Sequence, residues 1–263
     1  MKYQTIQVDY RDNVATITLN AQEKLNSLSW KMMREITRAC DEIEAGARAR
    51  VILFAGAGRS FCAGADLEDL QKIVAMKPAR REPNLKAWFK LTWRIKNVQI
   101  PTIAAVQGAA LGGGFALAIA CDIRIASDDA KMGSVFVQRG ASSADMGVSW
   151  ILPRLIGAGW AAELMFTGDI IDAAKAERIG LVNRVVPRDR LPQAAHEMAA
   201  KLAAGPPLGL KFTKRALTRS VWEGLQGQLE YESATQTLTF LSEDFAEGVK
   251  SFYEKRKPVF KGR

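Results

Sequence analysis

The stretch AAVQGAALGGGFALAIACDIRIAS, Ala104 to Ser127, sets three glycines, Gly112, Gly113 and Gly114, between two apolar runs. PTIAAVQG before them reads as a buried strand, the residues after them open as a helix, and CDIRIAS returns as a strand. Strand, glycine turn, helix and strand make an α/β unit, and that is the fold class the stretch predicts. A phosphate, an oxyanion or plain tight packing could each require a backbone without side chains at that turn. The dinucleotide fingerprint GxGxxG fails, because the sixth position counted from Gly112 is Leu117. The phosphate-loop pattern fails too: Gly108 and Gly113 have the right gap, but Gly114 stands where lysine is required.

Outward from this unit, TIQVDYRDNVATITLN reads as a hairpin around Arg11, Asp12 and Asn13. LNSLSWKMMREITRACDEIEA follows as an amphipathic helix with Ser27 or Ser29 as N-cap. RVILFAG is a short buried strand, and AGRSFCAGADLEDL is a small-residue loop leading into a helix near Asp66. MKPARREPN, Met76 to Asn84, is polar with two prolines and is expected to form a mobile insertion. From Trp150 onward the pattern is mostly helical, with a short strand at Val185 and Val186. One α/β domain with a helical C-terminal layer is the expected organisation.

Composition narrows the function. The 263 residues are 48% hydrophobic, enough for a large core, and no run reaches the length of a membrane span. The start, MKYQTIQVDYRDN, lacks the apolar core of a signal peptide, so a soluble cytoplasmic protein is expected. Cys40, Cys62 and Cys121 have no metal-like spacing and read as reduced, buried thiols. The single histidine, His196, rules out a multi-histidine metal site and reads as a helix-surface residue. The net charge of +9 suits an anionic ligand, nucleic acid or a membrane surface. Much of it lies at the end, on Lys250, Lys255, Arg256, Lys257, Lys261 and Arg263, where a solvated helix and tail account for it equally well.

A second small-residue turn, FCAGADL from Phe61 to Leu67, also follows a buried strand and opens a helix. Two such turns can aim two backbone N–H groups at one oxygen, which makes an oxyanion hole. The substrate would then carry a carbonyl that becomes an enolate or a tetrahedral oxyanion.

LNAQEKLNSLS, SFCAGADL, VQGAALGGGFALAIACDIRIAS, FTGDIIDAAKAERIGLVNRVV and FAEGVKSFYEKRKPVFKGR occur in this order along nearly the whole chain. Together they resemble the enoyl-CoA hydratase/isomerase (crotonase) family. The resemblance implies a crotonase-like spiral of ββα turns over residues 1–200. It also implies a C-terminal helical region over 201–263, in the same domain, for trimerisation and CoA contact. The expected assembly is a homotrimer or a dimer of trimers, and the expected ligand is an acyl-CoA thioester. No metal and no cofactor beyond the coenzyme A of the substrate is implied. The two N–H donors of the family's oxyanion hole match Ala65 and Gly113. Its CoA-binding segments match Lys24, Leu25 and Ser27, and Ala63, Asp66 and Leu67. Leu111 would line the thioester tunnel, and Lys255 resembles a position that meets CoA phosphates.

The sequence departs from the family's hydratases at both of their glutamates. Ala116 stands where GGGxE places the first, and Phe136 where the second is expected, so both positions are left to shape the acyl pocket. The remaining candidate acid/base is Asp145, in a segment where some isomerases of the family place an aspartate. A helix N-cap is the competing role for Asp145, and Glu68 and Asp69 are competing carboxylates. The favoured reaction is therefore enoyl-CoA isomerisation with Asp145 carrying the proton. The alternative is a hydratase or a related lyase or hydrolase, with water positioned by Asp145 or by Ser142 and Ser143. A non-catalytic CoA- or RNA-binding relative is the third reading; no aromatic-lined basic groove is visible in the sequence to support nucleic acid. Trp88, Phe89, Trp93, Phe136 and Trp150 are either pocket lining or ordinary core.

Overall fold

The computed structural model describes residues 3–263; Met1 and Lys2, which head the segment read for a leader, lie outside the described residues. β1 (Ile6–Arg11) and β2 (Val14–Leu19) form the expected hairpin, and only Asp12 and Asn13 remain as its loop. Both have positive φ, 52° and 58°, the backbone of a tight primed turn that Asp and Asn adopt more readily than most residues. α1 (Trp30–Gly46) follows, capped by Ser29, whose hydroxyl accepts from the Met32 N–H; of the two expected caps the structure uses Ser29 and not Ser27.

β3 (Val51–Gly56) adds in parallel to β2. α2 (Leu67–Ala75) and α3 (Pro78–Asn97) then lead to β4 (Thr102–Val106), β5 (Ala109–Leu111), α4 (Gly113–Ala120), β6 (Ile123–Ser127) and β7 (Lys131–Gly133). α5 (Val148–Ile156), α6 (Ala158–Thr167), β8 (Ile171–Asp172), α7 (Ala173–Arg178) and β9 (Arg184–Val186) complete the sheets. The main sheet runs β1-β2-β3-β4-β6-β9, and β5-β7-β8 form a smaller one beside it. Alternate residues of one strand serve two cores. Val51 and Leu53 of β3, with Ile103 and Ala105 of β4, face α8 (Leu191–Ala203). Ile52 and Phe54 face the other way, into the larger core with Met32, Ile36, Leu91, Ile95 and Phe115.

The segment 76–84, expected as a mobile insertion, is largely helical: from Pro78 onward it forms the opening turns of α3. Pro78 sits at the helix start, where its missing N–H is harmless. The Arg81 guanidinium donates to the Val74 and Met76 carbonyls at the end of α2, at 2.9 and 3.1 Å, tying the two helices together. Burial of Trp88, Leu91 and Ile95 holds the second half.

Beyond α8 come α9 (Pro207–Arg219), α10 (Leu225–Phe240) and α11 (Glu243–Tyr253). The expected boundary at 200/201 falls within α8. Lys214 anchors α9: its buried ammonium lies 2.8 Å from Asp122 and 2.9 Å from the Ile100 carbonyl. His196 lies on α8, with Nε2 3.1 Å from Asp12. All three cysteines are free and buried, and burial pushes their thiols up to about 12. Among the described residues no helix is long and apolar enough to cross a membrane.

Candidate active site

The three glycines divide three demands between them. Gly112 has φ 50° and ψ −114°, a conformation that L side chains rarely adopt. Gly114 is a matter of space: a methyl there would lie 2.1 Å from the Cys62 carbonyl oxygen. Gly113 opens α4, where its N–H has no partner one turn back. A methyl on Gly113 would lie 3.8 Å from the Ala65 nitrogen, and one on Gly64 would lie 3.9 Å from the Gly113 nitrogen. The two loops therefore meet at those two backbone positions.

The direction of the Ala65 N–H follows from the bridge it belongs to. Leu28 donates to Gly64 and accepts from Asp66, so Ala65 between them turns its own N–H away from Leu28. Among the described residues neither the Ala65 nor the Gly113 N–H has a hydrogen-bond acceptor. Two unpaired donors, one of them at the positive end of a helix, are what a developing oxyanion requires.

The segment Lys24 to Ser29 braces this arrangement. Leu25 and Asn26 both have positive φ, 52° and 55°. Asn26 is fully buried, accepts from the Ala21 N–H and donates to the Ala57 and Ser60 carbonyls. It is a residue whose role the sequence reading missed; an asparagine amid KLNSLS carries no signal of being a buried hub. The Ala63 N–H donates to the Leu25 carbonyl, which locks this segment to the second loop. Asp66 caps α2 through the Glu68 and Asp69 N–H groups and lies 3.2 Å from the Lys24 ammonium and 3.3 Å from the Ser27 hydroxyl. Burial pushes its carboxyl up, but the Asp69 N–H, Lys24 and Ser27 outweigh burial and hold it below the usual range. Leu67 is exposed at the start of α2.

Of the competing carboxylates, Glu68 is exposed and paired with Lys24 at 2.8 Å. Asp69 is buried, accepts from the Trp30 N–H and pairs with Lys72 at 2.8 Å. Asp145 has a different setting. It is half-buried, no ion pair reaches it among the described residues, and burial raises its carboxyl above the usual range against a single opposing N–H, that of Met146. It is not the N-cap of α5; that position is Gly147, without a side-chain cap. Its neighbour Met146 is fully buried, and the Met146 sulfur would lie 3.4 Å from a methyl on Gly113. The loop that carries Asp145 thus packs against the Gly113 turn.

Phe136 is partly buried, its ring 3.7 Å from where a methyl on Gly112 would sit. Ala116 is fully buried inside α4. Leu111 donates to the Cys62 carbonyl beside the same turn. Ser143 is spent on the Met165 and Ser134 carbonyls, at 2.8 and 3.4 Å, whereas Ser142 is exposed. Lys255, with φ 53°, stands exposed just past α11, on the C-terminal helices. Trp88 is core, while Trp93, Phe89 and Trp150 are exposed. Among the described residues no three His, Cys, Asp or Glu side chains gather to hold a metal ion.

The family model for enoyl-CoA hydratase/isomerase matches residues 9–263. The chain is similar to the probable enoyl-CoA hydratase echA8 of Mycobacterium tuberculosis, 38% identical over all of both chains. It is also 38% identical to a probable enoyl-CoA hydratase of Rhizobium meliloti, again over all of both. Among solved structures, the enoyl-CoA hydratase from Bacillus anthracis superposes with a TM-score of 0.93 at 35% identity, covering 99% of this chain and 100% of that one. A probable enoyl-CoA hydratase/isomerase from Mycobacterium abscessus gives 0.91 at 30% identity, covering 99% and 100%. With the fold, the two glycine turns and these likenesses in agreement, the chain belongs to the enoyl-CoA hydratase/isomerase family, with a crotonase fold.

Proposed function

We propose that the protein is an enoyl-CoA isomerase that moves one proton between Cα and Cγ of an acyl-CoA thioester. The observation that carries this reading is the setting of Asp145: a half-buried carboxylate with no cation beside it among the described residues, in a loop packed on the Gly113 turn. Asp66, Glu68 and Asp69 are each engaged by lysines or backbone N–H groups. In this reading the thioester oxygen of a 3-enoyl-CoA accepts from the Ala65 and Gly113 N–H groups. Asp145 takes the Cα proton, and the electron pair moves into the carbonyl to give a dienolate. Each N–H donor to that oxygen is worth roughly 3–4 kcal/mol in the transition state. The proton returns to Cγ, the double bond comes to rest between Cα and Cβ, and the carboxylate is restored. A raised carboxyl suits this shuttle, since both of its states must be accessible.

The remaining roles follow the family resemblance. Lys24, Leu25, Ser27, Ala63, Asp66 and Leu67 hold the adenine and pantetheine, Leu111 lines the tunnel, and Lys255 meets a phosphate. Phe136 and Ala116 shape the acyl pocket. The exposed apolar residues of the C-terminal helices, Phe240, Leu241, Phe252 and Tyr253, line or flank a groove of about 1200 Å³ and support a homotrimer or a dimer of trimers; light scattering on the purified protein tests this. A cytoplasmic location goes with the same reading.

Hydration is the second reading, favoured by the names of the relatives. It would rely on Asp145 and Ser142 to hold water, because the Ser143 hydroxyl is already used. The deciding experiment incubates the protein with a panel of 2- and 3-enoyl-CoA thioesters in deuterated water and weighs the products. Deuterium uptake with a shifted double bond and no added water is the expected result. A gain of one water by the 2-enoyl substrates, with no double-bond shift, overturns the isomerase reading.

A further inference from the structure

We propose that Thr92 is a positioning residue for Asp145, acting through the backbone of Met146; this rests on Asp145 being the acid/base. The starting observation is where the Thr92 hydroxyl goes. Helical threonines here ordinarily turn back on their own helix: Thr37 donates to the Met33 carbonyl, Thr167 to Glu163, and Thr218 to Lys214. Thr92, buried on α3, instead donates across the chain to the Met146 carbonyl at 2.8 Å.

The carbonyl it holds belongs to a strained turn. The Val148 N–H donates to the Asp145 carbonyl at 2.8 Å, and the two residues between have φ 44° and 79°. That is the signature of a type I′ turn, whose first central position normally carries Asn, Asp or Gly. Here it carries Met146, a residue with no local hydrogen bond to favour the left-handed region. Such a conformation persists only where its surroundings impose it. Two contacts do so: the Thr92 hydroxyl on the carbonyl, and the packing of the Met146 side chain against the Gly113 turn. The Thr92 methyl also lies 3.2 Å from where a methyl on Gly147 would sit, which closes the turn from the same side. The bond from α3 therefore fixes the direction in which the chain leaves Asp145, and with it the approach of the carboxylate to substrate held at Ala65 and Gly113.

The test compares Thr92→Val, Thr92→Ser and Asp145→Asn, singly and with Thr92→Val combined with Asp145→Asn. The readout is turnover of the 3-enoyl-CoA panel, with kcat and KM separated and α-deuterium uptake as a second measure. Thr92→Val is expected to lower kcat about 10- to 100-fold with KM within about twofold, as misplacement of a reacting group does. Thr92→Ser, which keeps the hydroxyl, restores most of the rate. The double variant is no slower than Asp145→Asn alone, because Thr92 acts only through that carboxylate. Should Thr92→Val not fold, Thr92→Ala carries the same comparison. A Thr92→Val enzyme with wild-type kcat, or a double variant slower than Asp145→Asn by the full Thr92 factor, overturns the proposal. Full activity in Asp145→Asn would instead overturn the acid/base reading on which it rests.

Discussion

Two loops open helices beside the same pair of N–H groups, and each carries an aspartate. In the loop before α2, Asp66 is buried yet surrounded: two backbone N–H groups, the Lys24 ammonium and the Ser27 hydroxyl all favour its charge. In the loop before α5, Asp145 has no cation among the described residues, and burial outweighs the one Met146 N–H that favours its charge. One carboxyl is pulled down and the other pushed up. Burial by itself does not decide which carboxylate can do chemistry; the donors that accompany it do. The first loop spends its acid on architecture, and the second leaves its acid unspent.

The sharpest way to break this contrast is Asp145→Asn. It is expected to lower kcat about a thousandfold, roughly 4 kcal/mol in the barrier, while acyl-CoA affinity by calorimetry changes little. The same variant has a stability signature with a worked sign. A carboxyl whose folded pKa lies above its unfolded value disfavours the fold as pH rises through the window between them. At neutral pH the wild type carries that cost and Asp145→Asn does not, so the variant melts higher at pH 7, and the difference fades as pH falls from the folded to the unfolded carboxyl value. An equal or lower melting temperature at pH 7 would contradict the burial argument.

Next in size is Gly114→Ala. The added methyl meets the Cys62 backbone oxygen at 2.1 Å, and backbone cannot give way as a flexible side chain would. A loss of about 3 kcal/mol in denaturant unfolding is expected. In Gly113→Ala the nearest atoms are side-chain ones, of Leu28 and Met146 at 3.2 and 3.4 Å, with the Ala65 nitrogen at 3.8 Å. It should fold, cost about 1 kcal/mol, and show its damage in kcat.

Asp66→Asn tests the architectural loop. Asparagine still caps a helix, but the charge that two backbone N–H groups, Lys24 and Ser27 all favour is gone, a loss of about 1 kcal/mol. Because the Asp66 carboxyl is held low, its contribution is present above the unfolded carboxyl value and disappears as pH falls through the folded one. The variant and wild type should therefore converge in strong acid. The smallest effect belongs to Lys24→Ala. Its ammonium is solvated and its pair with Glu68 is exposed on both sides, so stability changes less than in Asp66→Asn. A several-fold rise in KM with unchanged kcat is the expected kinetic result, measured on the same substrate panel.

The sequence by itself determined the α/β class, the hairpin, the helix start near Asp66 and the family, because these depend on local pattern. Alternation, turn residues and glycine spacing act over a few positions and survive any packing. Small residues at two strand-to-helix turns were visible as such, and the family resemblance then pointed to Ala65 and Gly113 within them. Segment 76–84 was beyond its reach: two prolines and many charges describe a loop as well as a helix start, and only Arg81 on α2 and the burial of Trp88, Leu91 and Ile95 chose between them. The division of labour within the triglycine, the buried grip of Asn26, and the hydroxyl of Thr92 on Met146, 54 positions along the chain, were decided by tertiary structure alone. So was the difference between Asp66 and Asp145, because the charge a carboxyl carries depends on groups that only folding brings within reach.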